Sequence, residues 1–268
     1  VAVLNYWLEL SSDGGYWFRP DPSQISPTDT SAIISGYIDG HGVRHDLVNG
    51  TPYYVRIHAV GDFPNNKAST LISTPVSFTP ATTPLGPSSA SVTVKDGAVD
   101  VTWTPSPDNG GLALTGYVAQ YSTDNSHWST GFDVDSSTSS ASITGLNNGT
   151  AYYIRIAAKN GMGTGPYLAP SGTVTPYGEP SISISVSDID SKTATVIVSA
   201  NGKGRSITPL VKFGVLGLSP SESTYSATTG TFSQTYNYSE LTPGTHYAVN
   251  AKINYLIGSV TNEVSASQ

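Results

Sequence analysis

The chain contains no cysteine, and only 12 of its 268 residues are lysine or arginine. The missing cysteine excludes disulfides, thiol nucleophiles and cysteine-based metal sites. The few basic residues are scattered without a cluster, which argues against a nucleic-acid partner. No apolar run approaches the roughly 18 residues that would suggest a membrane span. Charge of either sign is sparse at 12%, with a net value of −7 spread along the whole length. Low charge does not mean disorder in this chain, because 16 Tyr, 4 Trp and abundant Val and Ile supply core material. Those β-branched and aromatic residues favour strands, and the sequence reads as globular and all-β.

One stretch recurs. "LVNGTPYYVRIHAVGD" begins at Leu47, "LNNGTAYYIRIAAKNG" at Leu146 and a looser "LTPGTHYAVNAKINYL" at Leu241. Building modules repeat at intervals of this size, whereas a catalytic motif seldom does. The middle copy has the clearest surroundings. Segments 90–96, 98–105, 114–124, 127–134, 139–146, the motif itself and 172–177 alternate apolar and polar residues between turn signals. Seven short strands at that spacing predict an Ig-like two-sheet sandwich.

The run Leu146, Gly149, Thr150, Tyr152, Ile154, Ile156, Ala158, Asn160, with Trp103, Tyr117 and Tyr121, resembles the fibronectin type III family. The resemblance implies a tyrosine corner, in which the phenol packs inward and its hydroxyl bonds to backbone upstream. By that likeness the corner pairs are Leu47 with Tyr53, Leu146 with Tyr152 and Leu241 with Tyr247. Period-2 alternation sends Tyr152, Ile154 and Ile156 inward and leaves Tyr153 and Arg155 outward. Three tandem sandwiches are therefore expected over 1–79, 80–177 and 178–268. The third lacks a Trp on its second strand, so Val196 and Val198 must fill its core. In the first, "YWLELSSDGGYW" (6–17) aligns with "YVAQYSTDNSHW" (117–128), which places its opening residues at a third strand. Two strands are thus missing from the first unit, and upstream polypeptide or another segment is expected to supply them. The proline-rich joints 79–89 and 175–180 predict short, semi-stiff spacers and a rod of beads.

No catalytic constellation holds together. There is no G-x-S-x-G elbow, P-loop or dinucleotide fingerprint, and "GMGTGP" (161–166) reads as a turn. The carboxylates are scattered over repeats of one scaffold. No enzyme activity and no cofactor are expected. His41 and His45, with Asp46 and His58 nearby, could serve a metal, but a polar hairpin turn explains the first three as well. Asp133 and Asp135, and again Asp188 and Asp190, form Asp-x-Asp pairs that solvated strand charge also explains. Trp7, Tyr54 and Tyr153 point outward and are the candidate ligand contacts, suited to sugars or proteins. Sequons lie at Asn49, Asn148 and Asn237, and the two in the corner motif also serve a turn.

Two functional readings remain open. The tandem "NGTxYYxRIxAxN" modules look like those of phage tails and bacterial exported proteins. That likeness implies a non-catalytic piece of a phage tail or virion, with other subunits of the assembly as partners and host glycans as weak ligands. The alternative is an accessory region of a bacterial secreted enzyme or a cell-surface adhesin. Either places the chain on a virion surface or outside a cell, without membrane insertion.

Overall fold

The computed structural model describes residues 3–21, 24–25, 28–61, 69–170, 172–215, 221–257 and 260–267. Among them the chain is all-β, without helix, and every sheet lies within one of three stretches, 3–78, 89–164 or 181–267. The order of tandem β-sandwiches follows from this.

In the first stretch, β1 (Val3–Ser11) and β6 (Tyr53–Gly61) pair antiparallel, with Trp7 opposite His58 and Glu9 opposite Arg56. A second sheet joins β2 (Arg19–Asp21), β4 (Gly36–Ile38) and β5 (Arg44–Asp46). On the main sheet, β3 (Gln24–Ile25) adds to β1, while β7 (Ser69–Ile72) and β8 (Val76–Phe78) add to β6. Alternation puts Tyr6, Leu8, Leu10, Tyr53, Val55 and Ile57 on the inner face. Leu8, Leu10 and Tyr53 are buried there, but Ile57 is 41% exposed. Tyr6, Leu8, Val55 and Ile57 line an open trough of about 590 Å³, walled on its other side by residues 29–34. The inserted β4–β5 hairpin supplies a second sheet but does not cover this face.

The second stretch is complete. One sheet holds β9 (Ser89–Lys95), β10 (Ala98–Thr104) and β13 (Ser140–Thr144). The other holds β11 (Leu114–Ser122), β12 (Phe132–Val134), β14 (Tyr153–Asn160) and β15 (Gly163–Thr164). Val99, Val101, Ala119, Ile143 and Ile156 are wholly buried between them, with Trp103, Tyr117 and Tyr152. Fully burying a Val or Ile side chain contributes roughly 1.5–3 kcal/mol, so these positions dominate the sandwich. Ile156 corresponds to the exposed Ile57, and the difference is the layer of β9 and β10.

Two strand expectations are revised in this unit. The segment 127–134 is strand only from Phe132, because the turn at Asp124 and the positive φ of Gly131 hold the preceding residues out of the ladder. The closing strand at 172–177 reduces to a bridge at Val174, with another at Leu168, since Pro166, Pro170 and Pro176 cannot donate to a ladder.

The third stretch comprises β16 (Ser181–Ser187), β17 (Ala194–Val215), β18 (Ser221–Thr224), β19 (Thr228–Tyr238), β20 (Tyr247–Ile257) and β21 (Val260–Ser267). The strands expected over 193–200 and 208–216 are not separate: residues 194–215 form the single 22-residue β17, and residue 216 lies outside the described residues. Its first half pairs with β16 and β19 and its second half with β20. The pairing register breaks between Asn201 and Ser206, where Lys203 and Gly204 take positive φ. All six strands belong to one sheet, and β17 changes its main partners across that kink. Val196 and Val198 fill the core, as their alternation requires.

Candidate functional site

All three corner tyrosines close the same ring. The hydroxyls of Tyr53, Tyr152 and Tyr247 accept from the backbone N–H of Val48, Asn147 and Thr242 respectively, each at 3.0 Å. The turn between needs a left-handed residue, and Gly50, Gly149 and Gly244 have φ of 79°, 80° and 76°. Leu146 is buried beside Tyr152, while Leu47 and Leu241 are half-buried. These residues are structural, and no reacting group sits among them.

The first two corners do further duty at the joints between units. Gly50 N–H donates to Pro80 O, and Gly149 N–H to Pro176 O, both at 2.9 Å. Two residues further along each linker, Thr82 N–H donates to Gly110 O and Gly178 N–H to Lys203 O, at 2.9 and 3.0 Å. A glycine of the following unit is pressed onto each corner. A Cβ on Gly111 would lie 2.3 Å from Gly50 N, and one on Gly204 would lie 2.5 Å from Gly149 N. The two joints therefore share one backbone construction.

Side chains seal each joint. Asn49 Nδ2 donates to Thr82 Oγ1, and the buried Asn160 Nδ2 donates to Thr82 O and Asn109 O. At the second joint the Asp96 carboxylate accepts from Asn148 Nδ2 at 2.6 Å and Lys203 Nζ at 2.8 Å. Those two bonds, Lys203 first, hold its pKa below the usual carboxylate range. Arg205 lies over the Tyr177 ring at 3.8 Å, and its Nε donates to Gly178 O. The sequon amides of Asn49 and Asn148 are thus engaged at joints, whereas Asn237 is exposed on β19.

The outward residues also repeat. On the first unit, Trp7 stacks on buried His58 with centroids 4.8 Å apart. Glu9 Oε2 accepts from His58 Nε2 at 2.8 Å and from Arg56 Nε and Nη2 at 2.7 and 2.6 Å. Burial raises the Glu9 pKa, but the bonds to Arg56 and His58 outweigh it and leave a net lowering. Arg56 in turn covers the Trp17 ring at 3.8 Å. The second unit has the same frame: Arg155 lies over Trp128 at 3.9 Å and Tyr167 at 4.0 Å. Its Nε and Nη2 donate to Gln120 Oε1. The hairpin below is duplicated as well, with Ser11 Oγ and Ser122 Oγ donating to Asp13 and Asp124.

Of the candidate contacts, Trp7 and Tyr54 share one face with Arg56 between their registers, and Tyr153 occupies the matching face of the second unit. All three rings are half-buried. The metal candidates are dispersed. His45 Nε2 bonds Asp39 Oδ2 at 2.8 Å, and His41 meets the same carboxylate through its backbone N–H. The bond from His45, then those from the N–H groups of Val43 and His41, lower the Asp39 pKa to about 2. Asp133 pairs with Lys159, and Asp135 O accepts from Thr138 in a turn. Asp188 takes a positive φ and Asp190 N–H donates to Thr193 O. No three His, Asp or Glu side chains converge as a metal site among the described residues. The Arg–Trp stacks and joint glycines escaped the sequence reading. Their one signal was the alignment itself, which superposes Trp17 on Trp128 and Arg56 on Arg155.

The geometry defines an all-β chain of sandwich modules with tyrosine corners. The family model described as "Fibronectin type III domain" matches residues 85–174, the complete second unit. Similar curated proteins are adhesion molecules. "Cell adhesion molecule DSCAML1" of Mus musculus and of Homo sapiens are each 40% identical over 87 residues, covering 32% of this chain and 4% of theirs. "Cell adhesion molecule DSCAM" of Homo sapiens is 38% identical over 68 residues, covering 25% and 3%. The chain therefore spans a small fraction of these relatives' length. Among solved structures, chicken CNTN1 FN1–FN3 aligns over 98% of this chain and 89% of its own, with 16% identity and a TM-score of 0.34. A two-domain fibronectin type III segment of chicken tenascin aligns over 68% and 98%, with 19% identity and a TM-score of 0.42.

Proposed function

We propose that this chain is a non-catalytic, stiff spacer of an extracellular or surface-displayed protein, holding its modules in a fixed relation while their outer faces meet partners. The duplicated joint carries this reading. A flexible linker would not place a glycine of one unit against the corner nitrogen of its neighbour twice over. The titratable groups fit the same reading, since the histidines and carboxylates described above serve turns, joints and stacks. An adhesin-type setting is favoured over an accessory region of a secreted enzyme, because the similar curated proteins are adhesion molecules. A place on a phage tail or virion is a narrower version of the same role, and those relatives lend it no support.

Small-angle scattering of the chain at low and high salt tests the proposal. Joints made of backbone hydrogen bonds and close packing predict an extended particle whose maximum dimension does not change with salt. A profile typical of modules on a free tether would overturn it.

A further inference from the structure

Glu9 and Gln120 occupy equivalent positions on β1 and β11, each opposite the arginine of the neighbouring strand. In the first unit the Glu9 carboxylate neutralises Arg56. In the second, Gln120 reproduces the hydrogen bonds through its amide oxygen but brings no charge. Among the described residues Arg155 has no ion-pair partner. The neighbouring Lys159 and Asp133 neutralise each other. Arg155 is also held in place, between the rings of Trp128 and Tyr167, so its guanidinium loses little freedom when it binds. Its Nη1 has no hydrogen-bond acceptor among the bonds described above, and Tyr167 beside it is 37% exposed.

We propose that Arg155 is the docking point for a carboxylate on an acidic polypeptide segment of a partner. The first unit shows what completes this frame: a glutamate presented from an extended strand, with one oxygen across two guanidinium nitrogens. The faces of Trp128 and Tyr167 turned toward the site are covered by the guanidinium itself. They leave no ring surface there on which an acidic sugar could stack. A fixed, uncompensated cation on a chain of net charge −7 selects its partner by local geometry rather than by overall attraction. The inference rests on the chain being a surface module. It reads binding where the scattering experiment reads stiffness, so either can fail alone.

The test is a titration of the isotopically labelled chain at low ionic strength, following the Nε–Hε resonances of Arg155 and Arg56. The added compounds are a capped tetraglutamate peptide, its tetraglutamine counterpart and N-acetylneuraminic acid. A saturable shift at Arg155 with tetraglutamate only is expected, with Arg56 unmoved. Gln120→Glu should supply the missing carboxylate from within and weaken binding by about tenfold or more. Glu9→Gln should free Arg56 and create a second responding site. The proposal is overturned if Gln120→Glu binds as well as the parent, if Glu9→Gln leaves Arg56 silent, or if only the acidic sugar shifts Arg155. Absence of any response would overturn it too.

Discussion

Gly204 meets Gly149 so closely that a methyl group on the former would lie 2.5 Å from the backbone nitrogen of the latter. Gly111 and Gly50 repeat the relationship one unit earlier, with 2.3 Å in place of 2.5 Å. The corner glycine therefore serves two neighbours. Inside its own unit its positive φ turns the chain toward the tyrosine. Outside, its N–H donates to the linker proline's carbonyl, and its backbone seats the next unit's glycine.

Two buried tyrosines of the second unit should respond differently to loss of the hydroxyl. Tyr152 accepts from Asn147 N–H, so Tyr152→Phe strands a donor and should cost about 1–2 kcal/mol. The hydroxyl of Tyr117 is buried without a partner, so Tyr117→Phe should be neutral or stabilising within about 1 kcal/mol. Urea unfolding of the two variants checks both, and equal losses would contradict the corner's role.

The open face of the first unit predicts another contrast. Ile156→Ala should cost about 2–5 kcal/mol, because the residue is wholly buried. Ile57→Ala, at the matching place on an uncovered sheet, should cost much less. Comparable destabilisation at both positions would mean that the trough is filled.

Acid should act on the β4–β5 turn. Asp39, held ionised by His45 and by the N–H groups of Val43 and His41, has its pKa lowered to about 2 from the usual 3.8. A carboxyl lowered in the folded state contributes stability above its unfolded pKa and loses it as pH falls. The turn should therefore hold down to pH 3.8 and loosen as pH drops through about 2. Amide exchange at Val43 across that range reads the change, and Asp39→Asn should remove the pH dependence.

Much of this was legible in the sequence. The leucine-to-tyrosine spacing fixes the corner because Gly149 alone can take the turn, and alternation from Tyr152 onward sorts Ile154 and Ile156 from Arg155. The offset between Trp17 and Trp128 likewise matches β1 to β11, and the same Ser–Asp turn follows both strands. What alternation could not show was where a ladder ends: β17 runs through Gly202 and Gly204, while the prolines near Val174 break a strand that composition favours. The joints were hidden for a different reason. Contact between Gly149 and Gly204 depends on how two finished sandwiches meet, and a glycine in a loop carries no mark of its neighbour. The fate of Arg155 was hidden similarly, since its stack brings together Trp128 and Tyr167 from either side in the sequence.

The absence of cysteine makes the joint directly measurable. Thr144 on β13 and Thr235 on β19 are exposed, and replacing both with cysteine gives spin-label sites on adjacent units with no background thiol. A locked joint predicts one narrow distance distribution, broadened by Gly204→Ala. The Gly145→Ala control has a similar φ of 78° but nothing within 4 Å of the added methyl, so it should leave the distribution narrow. A distribution already broad in the parent, or unchanged by Gly204→Ala, would contradict the stiff spacer.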